Sequence, residues 1–136
     1  MLEKNEVIKM KKNGIIILDK EEIIETNKIF NSGKLINESL DFLEAKIKAK
    51  KLRKDIKESI AAIACIYWNE IIINHPFIDG NKRTSVEVML NFLHSNNFRI
   101  KCEMNSLIYM SLKIANKDIP QEKLIAWVLE KLEARK

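Results

Sequence analysis

The sequence predicts an all-α fold, a compact bundle of about six helices with at most two very short strands. Three observations carry that expectation. Only 3 glycines and 2 prolines interrupt 136 residues, so few positions can break a helix. Lys, Glu, Ile and Leu are abundant, and most segments place apolar residues at three- and four-residue spacing. An apolar share of 46% beside a charged share of 32% suits a folded globular chain rather than a disordered one. The length implies one domain over 1–136 with room for a real core.

Taken in order, residues 1–12 are polar and Lys-rich, expected to be ordered only in part. Gly14 to Leu18 is a β-branched run that suits one short strand. Asp19 opens the first helix, with Glu22 at the capping-box position. That helix runs to about Phe30 with Ile23, Ile24 and Ile29 inward, and Asn31-Ser32-Gly33 stops it. The second helix spans about Asn37 to Lys50, with Leu40, Leu43 and Ile47 on one face. The third spans about Asp55 to Asn74, with Ile56, Ile60, Ile63, Tyr67 and Ile71 inward and alanines allowing close approach. Its end, Ile71-Ile72-Ile73, is apolar all round and should be deeply buried.

Pro76 ends that helix at His75. A loop to Gly80 leads into a fourth helix, about Asn81 to Asn96, whose apolar residues cover most of its circumference. It should be the central helix. Phe98 to Cys102 suits a second short strand. Helices over about Ser106 to Asn116 and Pro120 to Ala134 complete the chain. Leu107, Met110 and Ile114, then Leu124, Val128 and Leu132, are the inward residues, with Asp118 as cap and Pro120 in the first turn of the last helix.

Several function classes drop out. No apolar run is long enough to span a bilayer, and the first residues lack a signal-peptide core, so the expected location is the cytoplasm. Cys65 and Cys102 lack ligand spacing and read as small core residues. The net charge of +5 is mild. One cluster, Lys46, Lys48, Lys50, Lys51, Arg53, Lys54 and Lys57, reads as a solvated helix end or as a docking patch for an acidic partner. No aromatic residues interleave with it, which argues against direct nucleic-acid binding. His94 reads as a surface residue, and Trp68 and Trp127 as core. Asn74 is placed to cap or orient the loop that follows.

The chemistry concentrates in His75-Pro76-Phe77-Ile78-Asp79-Gly80-Asn81-Lys82-Arg83. A loop feeding a helix start points unbonded amides at its mouth, and the helix dipole adds positive potential. Gly80 allows a tight turn, and Asn81 can fix that turn or touch a ligand. Lys82 and Arg83 suit phosphate oxygens. Asp79 is a Mg²⁺ ligand candidate beside a phosphate site. Histidine is the side chain best suited to exchanging protons in water, and His75 is the candidate general base. Taken singly, each residue has a bland reading: a loop His before Pro, an Asp-Gly-Asn turn, a solvated Lys-Arg pair. Two cations at a helix N-terminus oppose the dipole, however, and a bound anion accounts for them. The set is not a P-loop, because the upstream glycine is missing and Lys82 follows Asn81.

These nine residues resemble the signature of the Fic/Doc family, His-x-Phe-x-acidic-Gly-Asn-(Gly or Lys)-Arg. The buried helix before the loop, the helix after it and the Asn37-Glu38-Ser39-Leu40 stretch resemble Doc-like sequences from about residue 15 to the C-terminus. The resemblance implies a helical bundle with the loop between its two central helices. It implies His75 as the base that deprotonates a target hydroxyl and Asp79 as the Mg²⁺ ligand. Gly80 and Asn81 would form an anion nest, and Lys82 and Arg83 would lie at the nucleotide phosphates. AMP-transferring members have Gly at the position of Lys82 and Arg at that of Val86. The Doc branch resembles this chain at both. There the γ-phosphoryl group of ATP goes to a threonine of elongation factor Tu, translation stops, and a separate antitoxin restrains the enzyme. No Ser or Thr here begins the inhibitory pattern (Ser/Thr)-x-x-x-Glu-(Gly/Asn) of other members. Three readings follow: a Doc-like phosphotransferase using ATP and Mg²⁺, an AMP or other nucleotidyl transferase on the same scaffold, and a non-catalytic binding module using the lysine cluster.

Overall fold

In the computed structural model, which describes residues 10–135, six helices and four three-residue strands share one apolar core. The chain opens with an antiparallel pair, β1 (Met10–Lys12) and β2 (Ile15–Ile17). Asn13 and Gly14 join them, both at positive φ (50° and 85°). An Asn-Gly pair with both residues in that region makes the two-residue turn whose twist matches a hairpin. The expected strand is therefore present, but it has a partner inside the stretch read as a partly ordered tail; residues 1–9 of that stretch lie outside the described residues. Asn96 holds the other edge of the hairpin: its amide takes the Ile16 N–H (2.8 Å) and donates to the Ile16 carbonyl (2.9 Å).

Helix α1 (Lys20–Lys28) starts as its sequence dictates. Asp19 accepts the Glu22 amide (2.9 Å), and Glu22 reaches back to the Asp19 amide (3.3 Å). Ile23 is buried and Ile24 partly so. Ile29 is not inward as expected: the helix ends before it and leaves it 79% exposed. Helix α2 (Ser39–Ala49) buries Leu40, Leu43 and Ile47 as the spacing predicts.

Helices α3 (Ile56–Asn74) and α4 (Asn81–Ser95) form the centre and pack along each other. Asp55 caps α3 through the Lys57 amide (2.9 Å). Ile60, Ile63, Tyr67 and Ile71 lie in the core, and Ala61, Ala62 and Ala64 are buried where neighbours come close. Ile56, expected inward, is 52% exposed because it sits in the first turn, ahead of the packed length. The Tyr67 hydroxyl clasps Leu18, accepting from its amide (2.8 Å) and donating to its carbonyl (2.7 Å). The Trp68 indole donates to Ser111 (2.9 Å).

Beyond α4, strand β3 (Phe98–Ile100) leads to α5 (Met104–Ala115) and α6 (Gln121–Lys131). Leu107, Met110 and Ile114 face inward as predicted, as do Leu124 and Val128. The last helix stops at Lys131 rather than continuing to Ala134. Leu132–Ala134 turns into β4 and pairs antiparallel with β3, with Ile100 opposite Leu132. Leu132 is buried as expected, from a strand. Asp118 does not cap α6; Pro120 occupies the cap position. Cys65 is buried and Cys102 partly so. Trp68 is in the core, whereas Trp127 is half-buried at the edge beside Lys131. Among the described residues no helix is long and apolar enough to cross a membrane.

Candidate active site

The loop between α3 and α4 takes its shape from a small set of bonds. Helix α3 terminates as the His75 amide donates to Ile71 (3.2 Å), and Pro76 prevents a further turn. His75 itself is left-handed (φ 46°, ψ 61°) and exposed. The chain then extends against residues 34–36. The Ile36 amide donates to Pro76 (2.8 Å) and the Ile78 amide to Lys34 (3.1 Å), forming an antiparallel bridge between Leu35 and Phe77. Phe77, 1% exposed, anchors the loop in the core. Asn81 closes the turn behind it: its amide oxygen accepts the Phe77 N–H and its nitrogen donates to the Phe77 carbonyl, both at 2.9 Å.

Asp79 and Gly80 form the tip. The Asp79 carboxylate accepts the Gly80 amide through Oδ1 (2.8 Å), which leaves Oδ2 for an outside ligand. Gly80 has φ 77°, and a Cβ there would collide with the Asn31 side chain and crowd the Phe30 ring. Only glycine meets both demands. Helix α4 then begins with no side-chain cap and no acidic residue in its first turn. The orphan amides of that turn, on Asn81, Lys82 and Arg83, therefore open on the cleft these residues line.

All six predicted site residues, His75, Asp79, Gly80, Asn81, Lys82 and Arg83, border this one cleft of about 320 Å³, together with Ile78. Their contributions differ. The Asn81 side chain is committed to Phe77, so what it can offer a ligand is its backbone amide. The Arg83 guanidinium lies over the Phe30 ring, 4.5 Å from its centroid, which fixes the direction of its fork. Lys82 is exposed at the mouth. Lys82 and Arg83 also border a second hollow of about 400 Å³ that continues between α4 and α5, where Val86, Ile108 and Leu112 make it apolar. The cations and open helix amides of the cleft thus adjoin an apolar hollow.

Sequence reasoning missed the residues that hold this loop from outside it. Asn27, 1% exposed, donates to the Asp79 carbonyl (3.1 Å) and to Thr84 Oγ1 (2.9 Å) and accepts the Gly33 amide (2.8 Å). One buried amide therefore ties α1, the loop after it, the tip of the site and the first turn of α4. Its place on the inward face, four residues after Ile23, was the available signal. Asn37, read as the start of a helix, lies ahead of α2 and donates to the carbonyls of Asn74 (3.0 Å) and His75 (3.1 Å). The Asn74 side chain does not orient the loop; it reaches Glu70 (3.4 Å), and only its carbonyl takes part. His94 is exposed on the last turn of α4, far along the helix from the cleft.

Comparison with known families covers the same stretch of chain. The Fic/DOC family model matches residues 9–93, from the first strand into the last turn of α4, and includes the whole loop. The match stops short of α5 and α6, which the Doc-like resemblance had been taken to include. No curated protein and no solved structure matches the chain. Because the matched stretch is more than half of the sequence and holds every residue of the cleft, the chain belongs to the Fic/DOC family.

Proposed function

We propose that this protein is a Doc-type phosphotransferase, which moves the γ-phosphoryl group of ATP to a hydroxyl of a protein target. The family generally transfers nucleotide or phosphate groups to proteins. The observation that carries the reading is a single cleft holding an imidazole, a carboxylate and an uncapped helix N-terminus flanked by two cations. Lys82 and Val86 support the phosphoryl version. Lys82 stands at the mouth of the nest, and the buried Val86 leaves no second arginine to hold an α-phosphate there.

The chemistry assigned to each group is simple. His75 accepts the proton of the target hydroxyl. The hydroxyl oxygen bonds to the γ-phosphorus as the bond from that phosphorus to its bridging oxygen breaks, and ADP leaves. Arg83, Lys82 and the first-turn amides of α4 face the charge that gathers on the phosphoryl oxygens. Among the described residues no three His, Cys, Asp or Glu converge as a metal cage. Mg²⁺ commonly takes one or two carboxylates and completes its shell with water and substrate phosphates, and the Asp79 carboxylate has one oxygen beyond the Oδ1 bonded to Gly80. Asp79 would hold it, and it would neutralise phosphate charge. The same reading proposes a threonine of elongation factor Tu as the target, arrest of translation in the cytoplasm, and a separate antitoxin as the restraint. The exposed cations around Lys51 and Arg53 are a candidate surface for that partner.

The test is intact-mass analysis of purified elongation factor Tu incubated with the protein, ATP and Mg²⁺. A phosphoryl increment that disappears with His75→Ala is the expected result. An adenylyl increment would assign AMP transfer instead. An increment that survives His75→Ala would overturn the catalytic assignment.

A further inference from the structure

We propose that Asn37, outside the nine-residue loop, is the positioning residue for His75. The inference rests on the reading of His75 as the base, but its geometry stands apart from that reading. His75 adopts φ 46° and ψ 61°, a left-handed conformation that non-glycine residues avoid and keep only when surrounding contacts enforce it. On its amide side, one bond to Ile71 holds it. On its carbonyl side, Pro76 has no N–H, so the peptide link to the next residue supplies no donor that could anchor the turn. Asn37 fills that gap. Its Nδ2 donates to the carbonyls of Asn74 and His75, at 3.0 and 3.1 Å, so one amide group spans the reversal.

The direction of the Asn37 amide is set by chemistry. Its Oδ1 accepts the Ser39 N–H (2.9 Å), and an N–H can only donate. The nitrogen is therefore the end that faces the two carbonyls, which can only accept. Asn37 sits two residues before the start of α2, and α2 is held in the core by Leu40, Leu43 and Ile47. The register of the base is thus referred to a helix rather than left to an exposed loop. The phosphate-facing residues are fixed by different bonds, those of Asn81 to Phe77 and of Asn27 to Asp79. Loss of Asn37 should therefore disturb the base and spare the anion nest.

The chain has only 2 histidines, so each imidazole is separately visible by NMR, and His94 serves as an internal control. Two variants suit the test. Asn37→Ala removes the whole tie. Asn37→Asp keeps the shape and the bond from Ser39 but replaces the donor with an acceptor facing two carbonyls. Both are expected to fold, with unchanged far-ultraviolet circular dichroism, because the side chain is exposed. In both, the His75 imidazole resonances should move or broaden while those of His94 stay in place. The transfer rate at saturating ATP should fall on the order of tenfold to a hundredfold with the KM for ATP unchanged. Asn37→Asp should be no better than Asn37→Ala, although it retains the size. Unmoved His75 resonances in both variants would overturn the proposal. So would a rise in the KM for ATP at unchanged turnover. A failure of the phosphotransfer reading itself appears differently, as His75→Ala retaining activity.

Discussion

Asn81 grips Phe77 by both of its backbone polar groups, accepting its N–H and donating to its carbonyl at 2.9 Å each. A residue of the α4 first turn thereby holds the buried anchor of the loop that precedes it. Replacing Asn81 with Ala should cost about 2 kcal/mol, because two partly buried backbone groups lose their partner. Urea denaturation would register this as a lower midpoint at an unchanged slope. Transfer activity should fall further than the stability loss alone explains, since the loop tip loses its register.

His75, the proposed base, holds a backbone conformation that costs stability. Glycine tolerates its left-handed backbone freely. The substitution His75→Gly should therefore stabilise the fold by up to about 1 kcal/mol while abolishing transfer. Thermal unfolding monitored beside an activity assay separates the two effects. A destabilised variant would show that the imidazole makes contacts that outweigh the strain.

Gly80 and Gly14 make a matched pair for separating strain from collision. Both have positive φ, but a Cβ at Gly14 meets open space whereas one at Gly80 meets Asn31 and Phe30. Gly14→Ala should cost about 1 kcal/mol from backbone conformation alone. Gly80→Ala should cost more, about 2–3 kcal/mol, and should lower activity as Asp79 and Lys82 shift. Equal losses in chemical denaturation would mean that the Asn31 and Phe30 side chains simply move aside.

Asn27→Ala should be among the most damaging single changes, at about 3 kcal/mol. It removes three hydrogen bonds at a buried position and leaves the Gly33 amide and Asp79 carbonyl without their partner. Hydrogen exchange should then rise together in the residues around Gly33 and in the first turn of α4, although some 50 residues separate them.

Alkaline pH should unfold the protein through two groups buried on α3. Burial pushes the Cys65 thiol and the Tyr67 phenol far above their ordinary values of 9.0 and 10.0. The unfolded chain loses these protons first, so above about pH 9 it binds fewer protons than the folded one and stability falls as pH rises. The slope should approach about 1.4 kcal/mol per pH unit for each group. Tyr67→Phe should lower stability at neutral pH by about 2 kcal/mol, through the lost bonds to Leu18, but flatten the alkaline decline. Denaturation midpoints measured from pH 7 to pH 11 decide between the two slopes.

Local chemistry was the legible part of this chain. The Asp19–Glu22 capping box, the Leu40–Leu43–Ile47 face and the loop between the two central helices all follow from spacings within one or two turns. The helix ends were misread where a residue kept the period but the helix had stopped, as at Ile29, or had not yet reached its packing partner, as at Ile56. Leu132 kept the helical spacing too, yet it entered a strand because β3 offers an edge to pair with. The Asn13-Gly14 turn was readable and was overlooked. The inward position of Asn27 was legible, but not its bonds to Asp79 and Thr84 or those of Asn37 to Asn74 and His75, because these partners lie 37 to 57 residues away and no pattern along the chain encodes them.

The buried amide of Asn27 has a consequence for anyone who would engineer this chemistry. The nine-residue loop is not a portable cassette. Grafted between two helices of another bundle, it would bring its base, carboxylate and cations, but not the α1 side chain that holds the Asp79 carbonyl or the Phe30 ring beneath Arg83. A working transplant would have to carry the whole stretch from α1 to α4 as one unit, and that stretch falls almost entirely within residues 9–93, which the family model matches.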